Sequence, residues 1–279
     1  MKTGMNRTKR VMTAQETMEI VERGYYFNSL GEKVSIQPEL QYAIEHSVLY
    51  RPEDQQVLPK VESGLRPTIE VTGESSLDAA KRLVWTENRD DVICLNFASA
   101  KNPGGGFLNG AQAQEESLSR ASGLYPCIVQ MEEMYAYHRR LKTCLYSDYM
   151  IFSPRVPVFR DGEDQLLDRP YLLSFLTAPA VNAGVVRERE PENVPMIDSA
   201  MRKRIRKILT VAALHGHRTL VLGAYGCGVF RNRAQDVAGY FAQVLFEEAY
   251  EKHFDHIVFA VLDHSARQEN LRAFRERFL

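Results

Sequence analysis

The sequence contains three consecutive glycines followed, after a short spacer, by two adjacent carboxylates. This arrangement suggests a catalytic site. The glycines occupy Gly104–Gly106, and a seven-residue spacer and Gln114 separate them from Glu115 and Glu116. Glycine lets the backbone adopt positive φ or approach a ligand closely, and converging backbone N–H groups in such loops bind phosphate. Two negative charges would contribute nothing to a loop that only bound phosphate. The pattern therefore predicts acid/base chemistry on a phosphorylated sugar.

The two glutamates also have a simpler interpretation, as acidic residues at the N-terminus of a helix. Negative side chains are stabilised there by the helix dipole. This interpretation would be preferred for Glu115 and Glu116 alone, but the glycine triplet and Gln114 together favour catalysis. A metal site finds little support, because the seven histidines lack H-x-x-x-H spacing. A serine esterase finds little support either, because no G-x-S-x-G element occurs. We expect His138 and His264 at the surface.

A second glycine-rich stretch, Gly223–Phe230, follows the apolar run Thr219–Leu222. Three glycines in six residues favour a second phosphate loop over an ordinary tight turn. The ring of Phe230 suits either the core or a stack on ribose or adenine, and the residues alone leave both open. Asn102 lies beside the first glycines, where an amide can bond vicinal ribose hydroxyls. We expect Asn96 to brace the first loop internally.

Strand-like and helical stretches alternate along the chain and must position these loops. The predicted strands are Thr68–Thr72, Val92–Phe97, Tyr149–Phe152 (closed by Ser153 and Pro154), Tyr171–Leu176, Thr219–Leu222 and Ile257–Leu262. The predicted helices run from Ser75 or Ser76 to Val84, and over Ser117–Arg120, Met131–Leu141, Ile197–His215, Val237–Tyr250 and Ser265–Phe278. This order predicts a layered α/β domain with a mostly parallel or mixed sheet.

Ligands of such sheets bind beyond the carboxyl ends of the strands. We therefore expect three loops to line one cleft: Asn96–Gly106, Thr177–Asn182 and Gly223–Phe230. Asn182 itself has the character of an ordinary turn residue.

The N-terminal part of the chain suggests no chemistry. We interpret residues 1–66 as an accessory helical segment packed on a main domain of residues 67–279, and Thr13–Glu16 as the capping box of its first helix. The helix over Ile197–His215 carries a run of basic residues. A solvated helix face is the preferred interpretation, and contact with a long anionic polymer is the alternative. The run comprises Arg202, Lys203, Arg204, Arg206 and Lys207.

Bulk composition excludes several functional classes. The chain has 279 residues, 44% hydrophobic and 25% charged residues, and a net charge of −1, so no overall basic field attracts it to nucleic acid or membranes. Four cysteines without C-x-x-C pairing, one of them in the apolar run around Cys94, indicate reduced thiols and predict a cytoplasmic location. No apolar stretch is long enough for a secretory signal or a membrane span.

The glycine triplet, the spacer and Gln114–Glu116 together resemble the signature of the bacterial-type poly(ADP-ribose) glycohydrolases, which is Gly-Gly-Gly, a short spacer and Gln-Glu-Glu. The resemblance includes Leu95–Ala98 upstream and the glycine-rich loop that starts at Gly223, and it covers most of the chain from about residue 70 onward. It implies a three-layer α/β/α macrodomain-like fold with a mixed central sheet and an N-terminal helical extension. Such a fold binds ADP-ribose across the loops named above.

The resemblance also implies the reaction, hydrolysis of the ribose–ribose O-glycosidic bonds of poly(ADP-ribose) to release ADP-ribose. It implies Glu116 as the general acid and then the base, and Glu115 as the residue that holds the ribose hydroxyls. No metal or other cofactor is expected. The expected partners are poly(ADP-ribose), ADP-ribose and poly(ADP-ribosyl)ated proteins, for a monomer without membrane contact. The predicted substrate-binding residues are Asn102, Gly104, Gly105, Gly106, Gln114, Tyr225, Gly226, Cys227, Gly228, Val229 and Phe230.

Two alternatives use the same fold. A non-catalytic ADP-ribose reader would need the phosphate loops but would have no use for Gln114, Glu115 and Glu116. A hydrolase of mono(ADP-ribosyl) adducts on proteins would use the same cleft, and the sequence does not separate it from the main interpretation.

Overall fold

The structure, a computed structural model, describes residues 6–61 and 66–279. Residues 1–5 lie outside these ranges, and they are part of the N-terminus for which the sequence predicts no secretory signal. The helices are α1 (Arg7–Arg23), α2 (Gln37–Glu45), α3 (Ser76–Lys81), α4 (Gln114–Ala121), α5 (Leu124–Val129), α6 (Glu132–Arg140), α7 (Ala183–Arg189), α8 (Ile197–Leu214), α9 (Ala234–Ala242) and α10 (Glu269–Phe278). The strands are β1 (Tyr25–Phe27), β2 (Lys33–Ser35), β3 (Val48–Tyr50), β4 (Thr68–Thr72), β5 (Val92–Phe97), β6 (Met150–Arg160), β7 (Leu166–Ala178), β8 (Thr219–Leu222) and β9 (His256–Ala260).

Seven strands form a mixed central sheet in the order β3-β6-β7-β5-β8-β9-β4. The strands from β7 through β4 run parallel to their neighbours, whereas β3, β6 and β7 pair antiparallel. In β5, Val92 to Asn96 are all buried, as expected for a parallel strand that is covered on both faces. The sheet predicted from the alternation of elements is confirmed.

Helices cover both faces of this sheet. One apolar cluster joins the sheet to α8, α9 and α10, and a second joins it to α2, α3, α4, α5 and α6 on the other face. The expected three-layer α/β/α arrangement is therefore confirmed. Within the described ranges, no helix is both long enough and apolar enough to cross a membrane.

The strand β6 does not end at Ser153 and Pro154, as the sequence suggested, but continues through Pro157 to Arg160. The prediction failed because β3 pairs only with Met150–Phe152. Beyond that point the described residues on this side contribute one bridge, from Ser122 to Val158. Proline is tolerated on such an edge because few ladder bonds need its missing N–H. The strand β7 likewise begins five residues earlier than predicted, at Leu166.

The N-terminal segment contains more than helices. Its hairpin of β1 and β2 is a separate two-stranded sheet, and β3 forms the edge of the central sheet. The helix α1 begins at Arg7, where Asn6 accepts a hydrogen bond from the Lys9 N–H at 2.9 Å. The capping box predicted at Thr13 is therefore wrong, and the Thr13 hydroxyl instead bonds the Lys9 carbonyl inside the helix. The domain boundary at residue 66 stays a prediction.

Two later helices are shorter than predicted. The helix α9 ends at Ala242 and passes into a π-helical turn, Gln243–Glu247. The helix α10 begins at Glu269 rather than Ser265, since Asp263 accepts hydrogen bonds from the N–H groups of Ser265 and Asn270 and holds a turn ahead of the helix.

The basic run on α8 is not uniformly solvated. Arg204 is fully buried and forms an ion pair with Asp148, with 3.2 Å between Nε and Oδ1. Its remaining donors bond the carbonyl oxygens of Leu145 and Pro179. Arg204 therefore braces the segments that precede β6 and follow β7, and the expectation of a solvated face is wrong for this residue.

Candidate active site

A cavity of about 800 Å³ opens where β5 and β8 end. The loop after β5 and the loop after β8 both line it, so the structure brings the two glycine-rich stretches together. Thr177–Asn182, which the sequence also placed at the cleft, contacts the second loop through Ala178 and Ala180 and does not line the cavity. Predicted site residues that line it are Asn102, Gly105, Gly106, Gln114, Glu115, Glu116, Gly226, Gly228, Val229 and Phe230.

A second cavity of about 320 Å³ adjoins the first one. The two share Phe97, Gln114 and Gly228 in their walls. The smaller cavity extends past Ser75 at the start of α3 towards Leu262 after β9. Together they form an elongated cleft along the carboxyl ends of the parallel strands.

Gly105 is the point at which the backbone approaches both carboxylates. Its φ is +61°, and a Cβ added there would lie 2.3 Å from Oε1 of Glu116 and 3.3 Å from Oε2 of Glu115. The neighbouring N–H of Gly106 donates to Oε1 of Glu116 at 3.0 Å. Gly104 serves the loop differently, since it is buried against the ring of Phe107 and does not line the cavity.

Glu115 lines the cavity but is almost enclosed by protein, with 2% of its surface exposed. It accepts hydrogen bonds from the Ser99 N–H at 2.7 Å and from Nδ2 of Asn96 at 3.3 Å. Burial raises the pKa of Glu115 to about 8, and the charge of Glu116 adds to that shift. Asn96, which also bonds the hydroxyl of Thr177, has the bracing role that the sequence suggested.

Glu116 is only half-buried and faces the cavity. The carboxyl group that the structure buries is that of Glu115, not that of Glu116, the proposed acid. One carboxylate is thus enclosed by protein donors, and the other is accessible to a ligand.

The raised pKa of Glu115 predicts a specific pH dependence of stability. A carboxyl whose folded pKa exceeds its unfolded value of about 4.3 contributes stability below that pH, and the contribution is lost as the pH rises through about 8. Between pH 6.5 and 8, we expect the free energy of unfolding to fall by about 1–2 kcal/mol in the native protein. The Glu115→Gln variant should lack this fall. Urea unfolding of both proteins across that range measures it.

Histidines are the main competing influence on stability in this experiment. Burial lowers the pKa of His138 to about 4, and partial desolvation lowers that of the exposed His215 to about 4, so both increase stability as the pH rises towards 6.5. The comparison is therefore made above pH 6.5. Equal slopes for Glu115→Gln and the native protein would show that Glu115 does not titrate in this window.

Gln114 anchors the start of α4 to β5. Its Oε1 accepts from the N–H of Phe97 at 2.9 Å, and its Nε2 donates to the Leu95 carbonyl at 2.8 Å and to the hydroxyl of Ser76 at 3.1 Å. Because α4 begins at Gln114, these bonds fix the two residues that follow it. A direct substrate contact of Gln114 stays a prediction, and the geometry favours a positioning role.

The second loop has an anchored part and an open part. Tyr225 is fully buried and donates to the Ala178 carbonyl at 3.0 Å, and neither Tyr225 nor Cys227 lines the cavity. At Gly226, φ is +73° and an added Cβ would lie 2.6 Å from Cβ of Ala180. A Cβ at Gly228 would instead point into space that is open among the described residues.

Valine substitutions at the two glycines should therefore have different effects. Gly226→Val should lower the melting temperature, because positive φ disfavours a side chain and overpacking costs about 1–3 kcal/mol. Gly228→Val should leave the melting temperature nearly unchanged and weaken ADP-ribose binding, since its side chain would occupy the cavity. Thermal melts and calorimetric titration separate the two effects. Unchanged affinity of Gly228→Val for ADP-ribose would show that this loop is not part of the binding site.

Phe230 lines the cavity and also packs against the core. Its ring centroid is 5.9 Å from that of Tyr146. Both alternatives from the sequence, a core ring and a ligand-facing ring, thus describe parts of the same side chain. Val229 beside it is 79% exposed at the rim of the cavity.

His138 supports the first loop from below and was wrongly expected at the surface. It is fully buried, its Nδ1 lies 3.1 Å from the Ala100 carbonyl, and its Nε2 lies 2.7 Å from the hydroxyl of Ser147. A signal existed in the sequence, because His138 follows Met134 by four residues and so shares its helix face.

His264, by contrast, is exposed, as the sequence predicted. Among residues 6–61 and 66–279, no group of three or more His, Cys, Asp or Glu side chains could hold a metal ion.

A mixed sheet between two helical layers, with two glycine-rich loops and paired carboxylates at one cleft, defines a macrodomain-like hydrolase. The family model described as "Microbial-type PARG, catalytic domain" matches residues 14–161. A comparison with curated protein sequences gave no significant match. The chain belongs to the microbial-type poly(ADP-ribose) glycohydrolase (PARG) family and is a glycoside hydrolase.

Solved structures agree with this assignment over nearly the whole chain. The poly(ADP-ribose) glycohydrolase from Thermomonospora curvata is 44% identical, with a TM-score of 0.91, and the match covers 97% of this chain and 100% of that one. The same enzyme bound to the inhibitor ADP-HPD gives a TM-score of 0.88 at 44% identity and the same coverage. The Deinococcus radiodurans enzyme in complex with ADP-ribose is 43% identical, with a TM-score of 0.79, and the match covers 86% of this chain and 97% of that one.

Proposed function

We propose that this chain cleaves the ribose–ribose O-glycosidic bonds of poly(ADP-ribose) with Glu116 as general acid and base. The observation that carries the assignment is the position of Glu116 between the glycine-rich loops, half-buried, facing the cavity and held by the N–H of Gly106 at 3.0 Å. The relatives from T. curvata and D. radiodurans, which bind ADP-HPD and ADP-ribose, support the same ligand class.

Cleavage of a glycosidic bond requires a proton for the departing oxygen and stabilisation of an oxocarbenium-like centre. Glu116 is accessible from the cavity and can deliver that proton to the leaving hydroxyl. Its carboxylate can then take a proton from the attacking water. The Gly106 N–H fixes one oxygen of Glu116, so the other oxygen is available to the substrate.

Glu115 is suited to a different role. Its bonds to Ser99 and Asn96 fix the carboxyl group, and burial disfavours its charge. A fixed carboxyl group at the cavity wall can hydrogen-bond ribose hydroxyls and orient the scissile bond relative to Glu116. This assignment of the two roles is part of the proposal.

The diphosphate is proposed to lie between the two loops and to be bound by backbone N–H groups of the second one, near Gly228. The N–H groups of Gly105 and Gly106 already donate to the Asn102 carbonyl and to Glu116. Backbone N–H groups in glycine-rich loops can stabilise phosphate charge without a cation. The adjoining smaller cavity provides room for the nucleoside end of the ligand.

We further propose that the chain acts as a cytoplasmic monomer on poly(ADP-ribose) attached to proteins. Its four cysteines are free, and Cys94 and Cys127 are buried, which suits a reducing compartment. Sedimentation of the purified protein tests the monomer.

Incubation with purified poly(ADP-ribose), followed by identification of the products, tests the proposed function. Release of free ADP-ribose is the expected result. Tight binding without turnover would instead indicate a reader. Release of ADP-ribose from mono(ADP-ribosyl)ated proteins, with the polymer left intact, would indicate the mono-specific hydrolase.

Turnover is expected to persist in excess EDTA. The sequence has no metal-ligand spacing, and the glycine-rich loop after β8 can stabilise the diphosphate through its backbone N–H groups. Initial rates with EDTA, with EDTA and surplus Mg²⁺, and without additions provide the comparison. Loss of activity in EDTA that Mg²⁺ restores would contradict this prediction.

A further inference from the structure

Arginines from outside the glycine-rich loop hold the spacer between the glycines and the glutamates. Nε of Arg7 donates to the carbonyl of Asn109 at 3.0 Å, and Nε of Arg10 donates to the carbonyl of Gly110 at 2.8 Å. The next carbonyl, that of Ala111, accepts from Nη1 of Arg120 at 3.1 Å. Three successive peptide carbonyls of the spacer are therefore each bound by a guanidinium group.

The helix α1, which carries Arg7 and Arg10, also touches the spacer with its backbone. Gly110 has a φ of +73°, and a Cβ added there would lie 2.6 Å from the carbonyl oxygen of Arg7 and 2.9 Å from Cγ2 of Val11. Glycine is thus required for the contact on both conformational and steric grounds. The first turn of α1 and the spacer form a close-packed joint.

The remainder of α1 is fixed to the main body of the fold. The hydroxyl of Thr17 donates to the carbonyl of Arg120 at 2.6 Å in a buried contact. Glu16 forms an ion pair with Arg160 of β6 at 2.6 Å. Because α1 is attached to α4 and to the sheet, its first turn provides a rigid support for the spacer.

Two hydrogen bonds in series connect the supported spacer to the proposed acid. The Ala111 N–H donates to the carbonyl of Gly106 at 3.1 Å, and the N–H of Gly106 donates to Oε1 of Glu116 at 3.0 Å. A shift of the spacer would therefore move the peptide that fixes the Glu116 carboxylate. Misplacement of a catalytic group by about 1 Å can lower a rate by about a hundredfold.

We propose that Arg7 and Arg10 are positioning residues for the hydrolysis, acting through the spacer and Gly106 on Glu116. This inference rests on the proposed function. It gives the N-terminal helix a part in the reaction, although none of its residues lines either of the two cavities described above. Guanidinium groups suit this role because they remain charged and their donors have a fixed geometry.

The test is the full-length double variant Arg7→Met and Arg10→Met, which keeps long unbranched side chains and removes the donors. We expect kcat to fall about 10- to 100-fold, with a much smaller change in KM and in ADP-ribose affinity. The matching lysine variant, Arg7→Lys and Arg10→Lys, should recover part of kcat. Lys9→Met, which removes an exposed cation from the same turn of α1, should behave like the native protein.

Amide hydrogen exchange separates this inference from the proposed function. Residues 107–113 should exchange faster in the methionine double variant than in the native protein or in Lys9→Met. If the native protein released no ADP-ribose from the polymer, the proposed function would fail, and hydrogen exchange would still report on the contacts of Arg7 and Arg10 with the spacer. Unchanged exchange over 107–113 would overturn the inference. A fall in kcat that merely followed a fall in melting temperature would overturn it as well.

Discussion

Replacing Glu116 with glutamine is expected to lower the turnover of poly(ADP-ribose) by about 10²–10⁴-fold, the range for a lost general acid or base. Glutamine keeps the size of the side chain and can still accept the Gly106 N–H bond with its Oε1. It cannot donate a proton to the leaving oxygen and then take one from water. Affinity for ADP-ribose should stay within a few-fold, since the diphosphate contacts belong to the loops.

Single-turnover rates and calorimetric titration with ADP-ribose measure the two quantities on the same Glu116→Gln preparation. Glu247→Gln, an exposed substitution of the same type, is the matched control and should retain full turnover. Substantial activity in Glu116→Gln would assign the proton transfer to another group. Glu115 would then be the first candidate, because it is the other carboxyl at the cavity.

A single methyl group at Gly105 should be almost as damaging. In Gly105→Ala, the new Cβ would meet Oε1 of Glu116 at 2.3 Å, so the carboxylate or the loop must move. We expect kcat to fall by about 100-fold or more, which corresponds to a displacement on the order of 1 Å. Stability should fall by only about 1–2 kcal/mol, the cost of a non-glycine residue at positive φ.

Gly216→Ala is the control that separates the effect of a side chain at positive φ from the effect of the steric clash with Glu116. Gly216 has a φ of +75°, and an added Cβ there meets open space among the described residues. It lies after α8, away from the carboxyl ends of the strands. The two variants should lose similar stability in urea unfolding, and only Gly105→Ala should lose kcat. A normal kcat in Gly105→Ala would mean that the loop relaxes without disturbing Glu116.

The parts of the fold that local patterns determine were predictable from the sequence. The apolar runs of β5 and β8 are buried on both faces, so their periodicity and their limits agree with the structure. The extension of β6 through Pro154 was not predictable, because it depends on how short its neighbour β3 is. The burial of Arg204 depends on Asp148, which is distant in sequence, and a charge pattern on one helix carries no information about such a partner.

The candidate site, like the fold, was predictable only where local sequence determines it. The glycine triplet and the two glutamates lie within one local stretch, so their proximity could be inferred from spacing. The functions of individual glycines could not, because they depend on tertiary neighbours. Gly105 faces the carboxylates, whereas Gly226 is packed against Ala180, and both look alike in the sequence.

The position of β5 in the sheet also has a consequence for how the enzyme acquires activity. Both strands that flank it, β7 and β8, come later in the chain, and the cavity needs Gly228 as well as Glu116. Closing such long loops costs chain entropy before the new contacts repay it, so parallel pairing is slow compared with helix formation. During synthesis the glutamates therefore emerge long before the second wall of their cleft. Recovery of hydrolysis should be among the last events of refolding, after most helical signal has returned.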